Sequence, residues 1–310
     1  MTSKIALLQA NPVVGDIAGN AMMICGLASI AAEEGASFAV TTELAISGYP
    51  PRDLLIQSDF VTECHQVASS LETEIPVLVG TPVPPVNDRS LPGNGVVRAG
   101  DSVREVTRKQ LLPTYDVFDE ARYFEADERP GIARTIAGLD IGVTICEDAW
   151  QHCGATPNDY DSDPIAQIVE WGRQGVVLDA TVNLSASPYH ANKSGIRIAV
   201  ARSAASSLNH PFLLANQVGG NDDLLFDGRS IIAWPDGTAV VAPAWTRGVL
   251  LTDLSDPEGC TWIGDGEVTI LKPGEELEED ENDLLDAIVI GLADYCLSLI
   301  HISEPTRHRR

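Results

Sequence analysis

Short apolar stretches rich in β-branched residues punctuate this chain, helical patterns separate several of them, and no stretch is long enough to span a bilayer. Period-two and continuous apolar runs predict strands at 5–9, 38–42, 77–80, 95–98, 103–109, 141–145, 176–183, 212–216, 230–234 and 248–253. Between them, apolar residues at spacings of three and four predict helices at 16–34, 60–72, 163–174 and 195–208. The first is well marked: Asp16 stands at the N-cap position, Ile17, Ala21, Ile24, Ala28 and Ala31 form one stripe, and Gly35 ends it. Pro, Gly, Asn and Asp mark loops at 87–95 and 154–163. Strands alternating with helices, followed by hairpins such as AWPDGTAVV, predict an α/β or α+β sandwich forming one domain of about 260 residues.

From Lys272 the character changes. KPGEELEEDEND reads as an acidic linker, and LLDAIVIGLADYC opens a new amphipathic helix, as the start of a second domain would. The expected organisation is therefore a domain over 1–274, then linker and the start of a further domain over 275–296. Residues 297–310 are expected to lie outside the natural protein, because LSLIHISEPTR (297–307) resembles the conceptual translation of a transposase sequencing adapter.

The net charge is −25, which argues against nucleic acid or an anionic membrane as partner. Six cysteines, at 25, 64, 146, 153, 260 and 296, form neither a CxxC pair nor a dense framework. That usage, with an N-terminus that shows no signal-peptide cleavage pattern, predicts a cytoplasmic protein with free thiols. Of the 20 basic residues only Lys4, Lys109, Lys193 and Lys272 are lysines. Where Arg serves nearly everywhere, a surviving Lys marks a position that needs a compact cation.

Three strand ends present reactive groups. Cys146 closes GVTIC ahead of Glu147 and Asp148, Glu43 follows FAVTT, and Lys109 ends a strand beside Arg108. Each has an ordinary reading: a buried core cysteine, a turn cap and a solvated strand-end lysine. CEDAWQHC also gathers two Cys, a His and two carboxylates, without paired zinc-ligand spacing. Together the three groups suit acyl transfer. A lysine near the sulfur offsets neighbouring carboxylates and stabilises a thiolate or an oxyanion. A glutamate takes the thiol proton and returns it to a leaving amine. The Glu147 backbone N–H suits an oxyanion hole.

These residues, with the surrounding blocks ELAISGYPPRDLL, RKQLLPTYDVFDEARYF, ICEDAW, NLSASPYHANK and LLANQVGGNDDLLFDGRS, resemble the nitrilase (carbon–nitrogen hydrolase) superfamily. Within it they are most similar to the glutaminase domains of bacterial glutamine-dependent NAD synthetases, over about residues 4–270. The resemblance implies a four-layer-forming α-β-β-α sandwich and hydrolysis of L-glutamine through a cysteine thioester. It implies Glu43 as general base, Lys109 as oxyanion-stabilising cation, Cys146 as nucleophile and Glu120 as a carboxylate orienting Lys109. Tyr115, Glu147, Ser187 and Lys193 match glutamine-binding positions, with Glu147 on the ammonium and Lys193 on the α-carboxylate. Thr42 stands where the family often has Pro. No metal is implied for this step; ATP and magnesium belong to a C-terminal synthetase domain that these 310 residues lack. That missing domain and a homo-oligomer are the implied partners. Two other readings stay open at this point: a stand-alone amidase acting on another small amide or carbamoyl compound, and a catalytically silent assembly domain.

Overall fold

The computed structural model describes residues 4–87, 90–274 and 281–302; the linker 275–280 and the end of the 297–310 tail, from residue 303, lie outside them. In chain order the elements begin with β1 (Lys4–Gln9), α1 (Ile17–Glu33), β2 (Ala36–Val40), α2 (Ser58–Ser69) and β3 (Val77–Val83). Then come β4 (Gly93–Ala99), β5 (Arg104–Arg108), β6 (Gly131–Ile136), β7 (Leu139–Ile145), α3 (Pro164–Arg173), β8 (Ala180–Ser185) and α4 (Lys193–Leu208). The chain continues through β9 (Phe212–Asn216), β10 (Val218–Asn221), β11 (Leu224–Asp227), β12 (Ile231–Ala233), β13 (Ala239–Val241) and β14 (Gly248–Asp253). It ends in β15 (Asp256–Gly264), β16 (Glu267–Ile270) and α5 (Glu281–Ile302).

Two sheets carry the fold. One has eight strands in the order β16-β15-β14-β1-β2-β3-β4-β5, and the other six, β13-β12-β9-β8-β7-β6. Each holds a parallel trio, β1-β2-β3 in the first and β7-β8-β9 in the second, flanked by antiparallel strands. Side-chain alternation places the layers. Ile5 and Leu7 of β1 join Phe38, Val40, Val143, Val182 and Leu213 in a core between the sheets. Ala6 and Leu8 of the same strand face outward, against Ile24, Ala28 and Ala31 of α1 and Cys64 and Ala68 of α2. On the far side α3 and α4 cover the second sheet through Ile165, Ile198, Ala201 and Ala205. The result is an α-β-β-α sandwich. Strands buried on both faces explain why the sequence shows continuous apolar runs there.

The sequence expectations and the structure differ in places. The strand expected at 176–183 begins only at Ala180; a turn at 174–175 follows α3, and 176–179 lead into the strand without regular pairing, with Val177 exposed. The expected loop 87–95 ends earlier, since Gly93 already pairs with Val83 in the β3–β4 ladder. Strands β6, β10, β11, β15 and β16 were not expected. Asp16 does cap α1, accepting the Gly19 N–H at 2.9 Å.

Helix α5 lies on the β10–β11 hairpin. Asp294 accepts from Asn11 Nδ2 (3.1 Å) and from the Gly220 N–H (2.8 Å), and Ala287 is buried. Asp283 receives Arg229 at 2.7 Å and Trp245 Nε1 at 2.7 Å. Arg229 in turn pairs with Asp227 at 3.2 Å, and Asp227 with Arg197 of α4 at 2.9 Å, all buried. Among the described residues, no helix is long and apolar enough to cross a membrane.

Candidate active site

Cys146, Glu43 and Lys109 all stand just past strand ends, on the same side of the sandwich. Cys146 follows β7 directly and opens a 3-10 turn with φ +42°. That left-handed backbone is uncommon for a residue with a side chain and costs on the order of 1–3 kcal/mol, a strain that collects at functional positions. Glu43 lies in a buried turn after β2, its N–H reaching the Ser185 carbonyl at the end of β8 at 3.4 Å. The turn presses against Gly80 of β3: a Cβ there would sit 2.3 Å from the Thr42 carbonyl oxygen. Only glycine lets the two backbones approach so closely.

Lys109 directly follows β5 and is fully buried, so the solvated strand-end reading does not hold. Its Nζ donates to Glu43 Oε1 at 2.8 Å and to Glu120 Oε1 at 2.8 Å. Burial alone would lower the pKa of this ammonium, but the Glu120 and Glu43 carboxylates outweigh it and hold Lys109 well above the ordinary lysine value. Glu43 is fixed from two further sides, by Asn94 Nδ2 at 2.7 Å and by the Ala186 N–H at 3.1 Å. Glu120 also accepts from Tyr49 Oη at 2.8 Å, and burial pushes its carboxyl up to about 7 against the pull of Lys109.

Burial, and next the charge of Glu43, push the Cys146 thiol well above the ordinary cysteine value, and Lys109 offsets this only in part. A thiol raised in this way calls for a base to take its proton on attack, the part the sequence reading gave to a glutamate. Of the two carboxylates that follow the cysteine, Asp148 turns away. It accepts the N–H groups of Ile145 (2.9 Å), Gln110 (3.1 Å) and Leu111 (2.9 Å), tying the cysteine turn to the segment that bears Lys109. Replacing Asp148 with Asn is expected to lower stability by about 2 kcal/mol, since an amide cannot accept all three bonds as a carboxylate does. The same change should slow alkylation of Cys146, and thermal denaturation with a thiol-labelling time course checks both.

Glu147 instead meets two tyrosines. Its Oε1 accepts from Tyr115 Oη (2.7 Å) and Tyr160 Oη (3.2 Å), and burial raises its carboxyl. Ser187, after β8, has a buried Oγ with no hydrogen bond among the described residues, while its N–H donates to Asn216 Oδ1 at 2.9 Å. Lys193 opens α4 with its Nζ 5.4 Å from the Trp150 ring centre, a cation–π placement. Burial, then the charge of Arg197, lower the Lys193 ammonium to about 8. All eight residues singled out from the sequence thus have defined positions: Glu43, Lys109 and Glu120 form one bonded group, Tyr115 and Glu147 a second. Cys146 feels the charges of Glu43, Lys109, Glu147 and Glu120, and Lys193 those of Cys146 and Glu147.

Sequence reasoning missed Asn94, Tyr49 and Tyr160. Asn94 lay in a stretch read as loop, Tyr49 in a block quoted only for its resemblance, and Tyr160 in the 154–163 loop. Composition carries no signal for contacts such as Asn94 to Glu43, which are 51 positions apart. His152 of CEDAWQHC bonds Asp163 and Ser207, and among the described residues no group of three metal-ligating side chains forms.

A family model described as carbon-nitrogen hydrolase matches residues 4–260. The glutamine-dependent NAD(+) synthetase of Synechocystis sp. is 35% identical over 302 residues, covering 94% of this chain and 52% of the relative. That of Aquifex aeolicus is 33% identical over 255 residues, covering 81% of this chain and 42% of the relative. The structure of the glutamine-dependent NAD+ synthetase from Acinetobacter baumannii in complex with ADP superposes with a TM-score of 0.77 at 25% identity, covering 96% of this chain and 52% of that one. An amidase of the nitrilase superfamily from Nesterenkonia AN1 shares the fold, with a TM-score of 0.66 at 20% identity, covering 82% of this chain and 91% of that one. The chain spans about half the length of the synthetases it matches.

Proposed function

We propose a specific activity from the premise that the chain belongs to the carbon–nitrogen hydrolase family: it hydrolyses the side-chain amide of L-glutamine, as the glutaminase half of a glutamine-dependent NAD synthetase. The observation that carries the reading is Lys109, buried between Glu43 and Glu120 at 2.8 Å from each, with both Lys109 and Glu43 coupled to the Cys146 sulfur.

In the proposed reaction Cys146 Sγ attacks the carboxamide carbon while its proton passes to Glu43. The carbonyl oxygen takes the negative charge and is held by Lys109 and the Glu147 backbone N–H, which lies in a first helical turn and has no partner within it. Glu43 returns the proton to nitrogen, the C–N bond breaks, and ammonia leaves a thioester on Cys146. Water then loses a proton to Glu43 and attacks the thioester carbon. The C–S bond breaks, the sulfur recovers a proton, and glutamate departs. Glu120 keeps Lys109 oriented. Glu147 and Tyr115 face the substrate ammonium, and Ser187 and Lys193 its carboxylate.

Ammonia is proposed to pass to a synthetase domain, absent from this chain, that amidates nicotinate adenine dinucleotide; ATP and magnesium belong to that half and enter no step here. The domain boundary near residue 275 is part of the same proposal. One face of α5 supports it: Leu284, Leu285, Ile288, Val289, Leu292 and Tyr295 are all exposed, an apolar surface suited to packing inside a further domain. A cytoplasmic homo-oligomer completes the reading.

Substrate profiling tests it. Glutamine should release ammonia faster than asparagine or a simple aliphatic amide; equal rates would favour a general amidase, and none at all an inactive assembly domain. The pH profile gives a second check. Lys193, lowered to about 8, is a cation below that pH and neutral above it. The kcat/KM for glutamine is therefore expected to hold below about pH 8 and fall as pH rises through it, chiefly through KM. Lys193→Arg should abolish that limb, and initial rates across pH decide.

A further inference from the structure

We propose that Tyr160 is a positioning residue that selects amide substrates carrying an α-ammonium group, acting through Glu147. The proposal rests on the glutaminase reading and deepens it.

Tyr160 and Tyr115 reach Glu147 from different segments, yet both donate to the same oxygen, Oε1, at 3.2 and 2.7 Å. Two donors on one oxygen fix the plane of the carboxylate. Oε2, which makes no hydrogen bond among the described residues, is left as the acceptor for an incoming cation. Burial and the Glu147 charge raise both phenols, so each stays a protonated donor at any working pH. With Lys193 on the Trp150 face and within the influence of the Glu147 charge, the site offers one anion and one cation, the pattern that recognises a zwitterion.

The loop that carries Tyr160 is held at both ends. His152 Nδ1 lies 2.8 Å from Asp163 Oδ2, closing residues 153–162 into a loop. His152 Nε2 lies 2.8 Å from Ser207 Oγ on α4, the helix that begins with Lys193. Asp163 also caps α3, accepting the Ala166 N–H at 2.9 Å. Within the loop, Thr156 Oγ1 donates to the Asn158 carbonyl at 2.8 Å. The frame that holds Tyr160 is therefore tied to the far end of α4, the helix that Lys193 opens.

The test compares L-glutamine with glutarate monoamide, which is glutamine without its α-amino group, in the wild-type chain and in Tyr160→Phe. The variant is expected to lose about tenfold in kcat/KM on glutamine, through KM with kcat little changed, the effect of one hydrogen bond to a charged group. On glutarate monoamide it should match the wild type. An equal loss on both substrates would make Tyr160 merely structural, and no loss on either would remove it from substrate selection; each overturns the proposal. A wild-type chain with no preference for glutamine would overturn the glutaminase reading and this proposal together. A preference for glutamine that is undiminished in Tyr160→Phe sinks the proposal alone.

Discussion

Cys146→Ala is expected to lower ammonia release from L-glutamine by at least about four orders of magnitude, because the sulfur proposed to form the acyl-enzyme bond is gone. The substitution removes one sulfur atom from a buried position and leaves the backbone at φ +42° as it was. Neither Glu43, Lys109 nor Glu120 loses a side-chain hydrogen bond, since their partners are one another, Asn94, Tyr49 and the Ala186 N–H. Thermal stability and glutamine affinity should accordingly stay close to the wild type. Ammonia release followed by a coupled assay, alongside calorimetric titration with glutamine, separates lost chemistry from lost binding. Retained turnover would remove Cys146 from the reaction.

Lys109→Met should damage both rate and fold. The wild-type ammonium sits between two buried carboxylates. Removing one partner of a buried ion pair costs about 3–5 kcal/mol, because uncompensated charge stays out of water. Burial and the Glu43 charge would then raise Glu120 with no lysine to oppose them, so the stability deficit should shrink as pH falls and grow as it rises. Turnover should fall by about two to three orders of magnitude through loss of an oxyanion donor. The double variant Lys109→Met, Glu120→Gln is expected to recover part of the stability and none of the rate. Chemical denaturation at several pH values and steady-state kinetics measure the two effects separately. A double variant that regained activity would show the lysine to be a structural cation.

Much of this arrangement could be read from the residues. The apolar runs at 5–9, 212–216 and 248–253 correspond to β1, β9 and β14 because those strands are buried on both faces and the signal is dense. Strand β6, GIARTI, escaped because its register shifts between Ala133 and Ile136 and two of its residues are exposed, which breaks any alternation. Helix α4 was placed from residue 195 although it starts at Lys193: Asn192 is a favoured N-cap residue type, yet it takes a left-handed conformation and makes no side-chain cap bond. The scarcity of lysine singled out Lys109 and Lys193, whose distinctive surroundings the structure then supplied. What composition could not convey was reach: Lys109 meets Glu43 across 66 positions, and Tyr49 meets Glu120 across 71. Such pairings depend on which strand ends the topology gathers, and that is a property of the sheet order rather than of any local stretch.

Arg197, Asp227, Arg229 and Asp283 alternate in sign along one buried path, two cations against two anions. The last anion comes from α5, beyond the acidic linker. A protein cut at residue 274 would keep both guanidiniums and only one carboxylate, stranding a net positive charge a single helical turn from Lys193. The tally reaches zero only with α5 seated, so a shortened chain ending at 274 would start life with an electrical debt in its own interior.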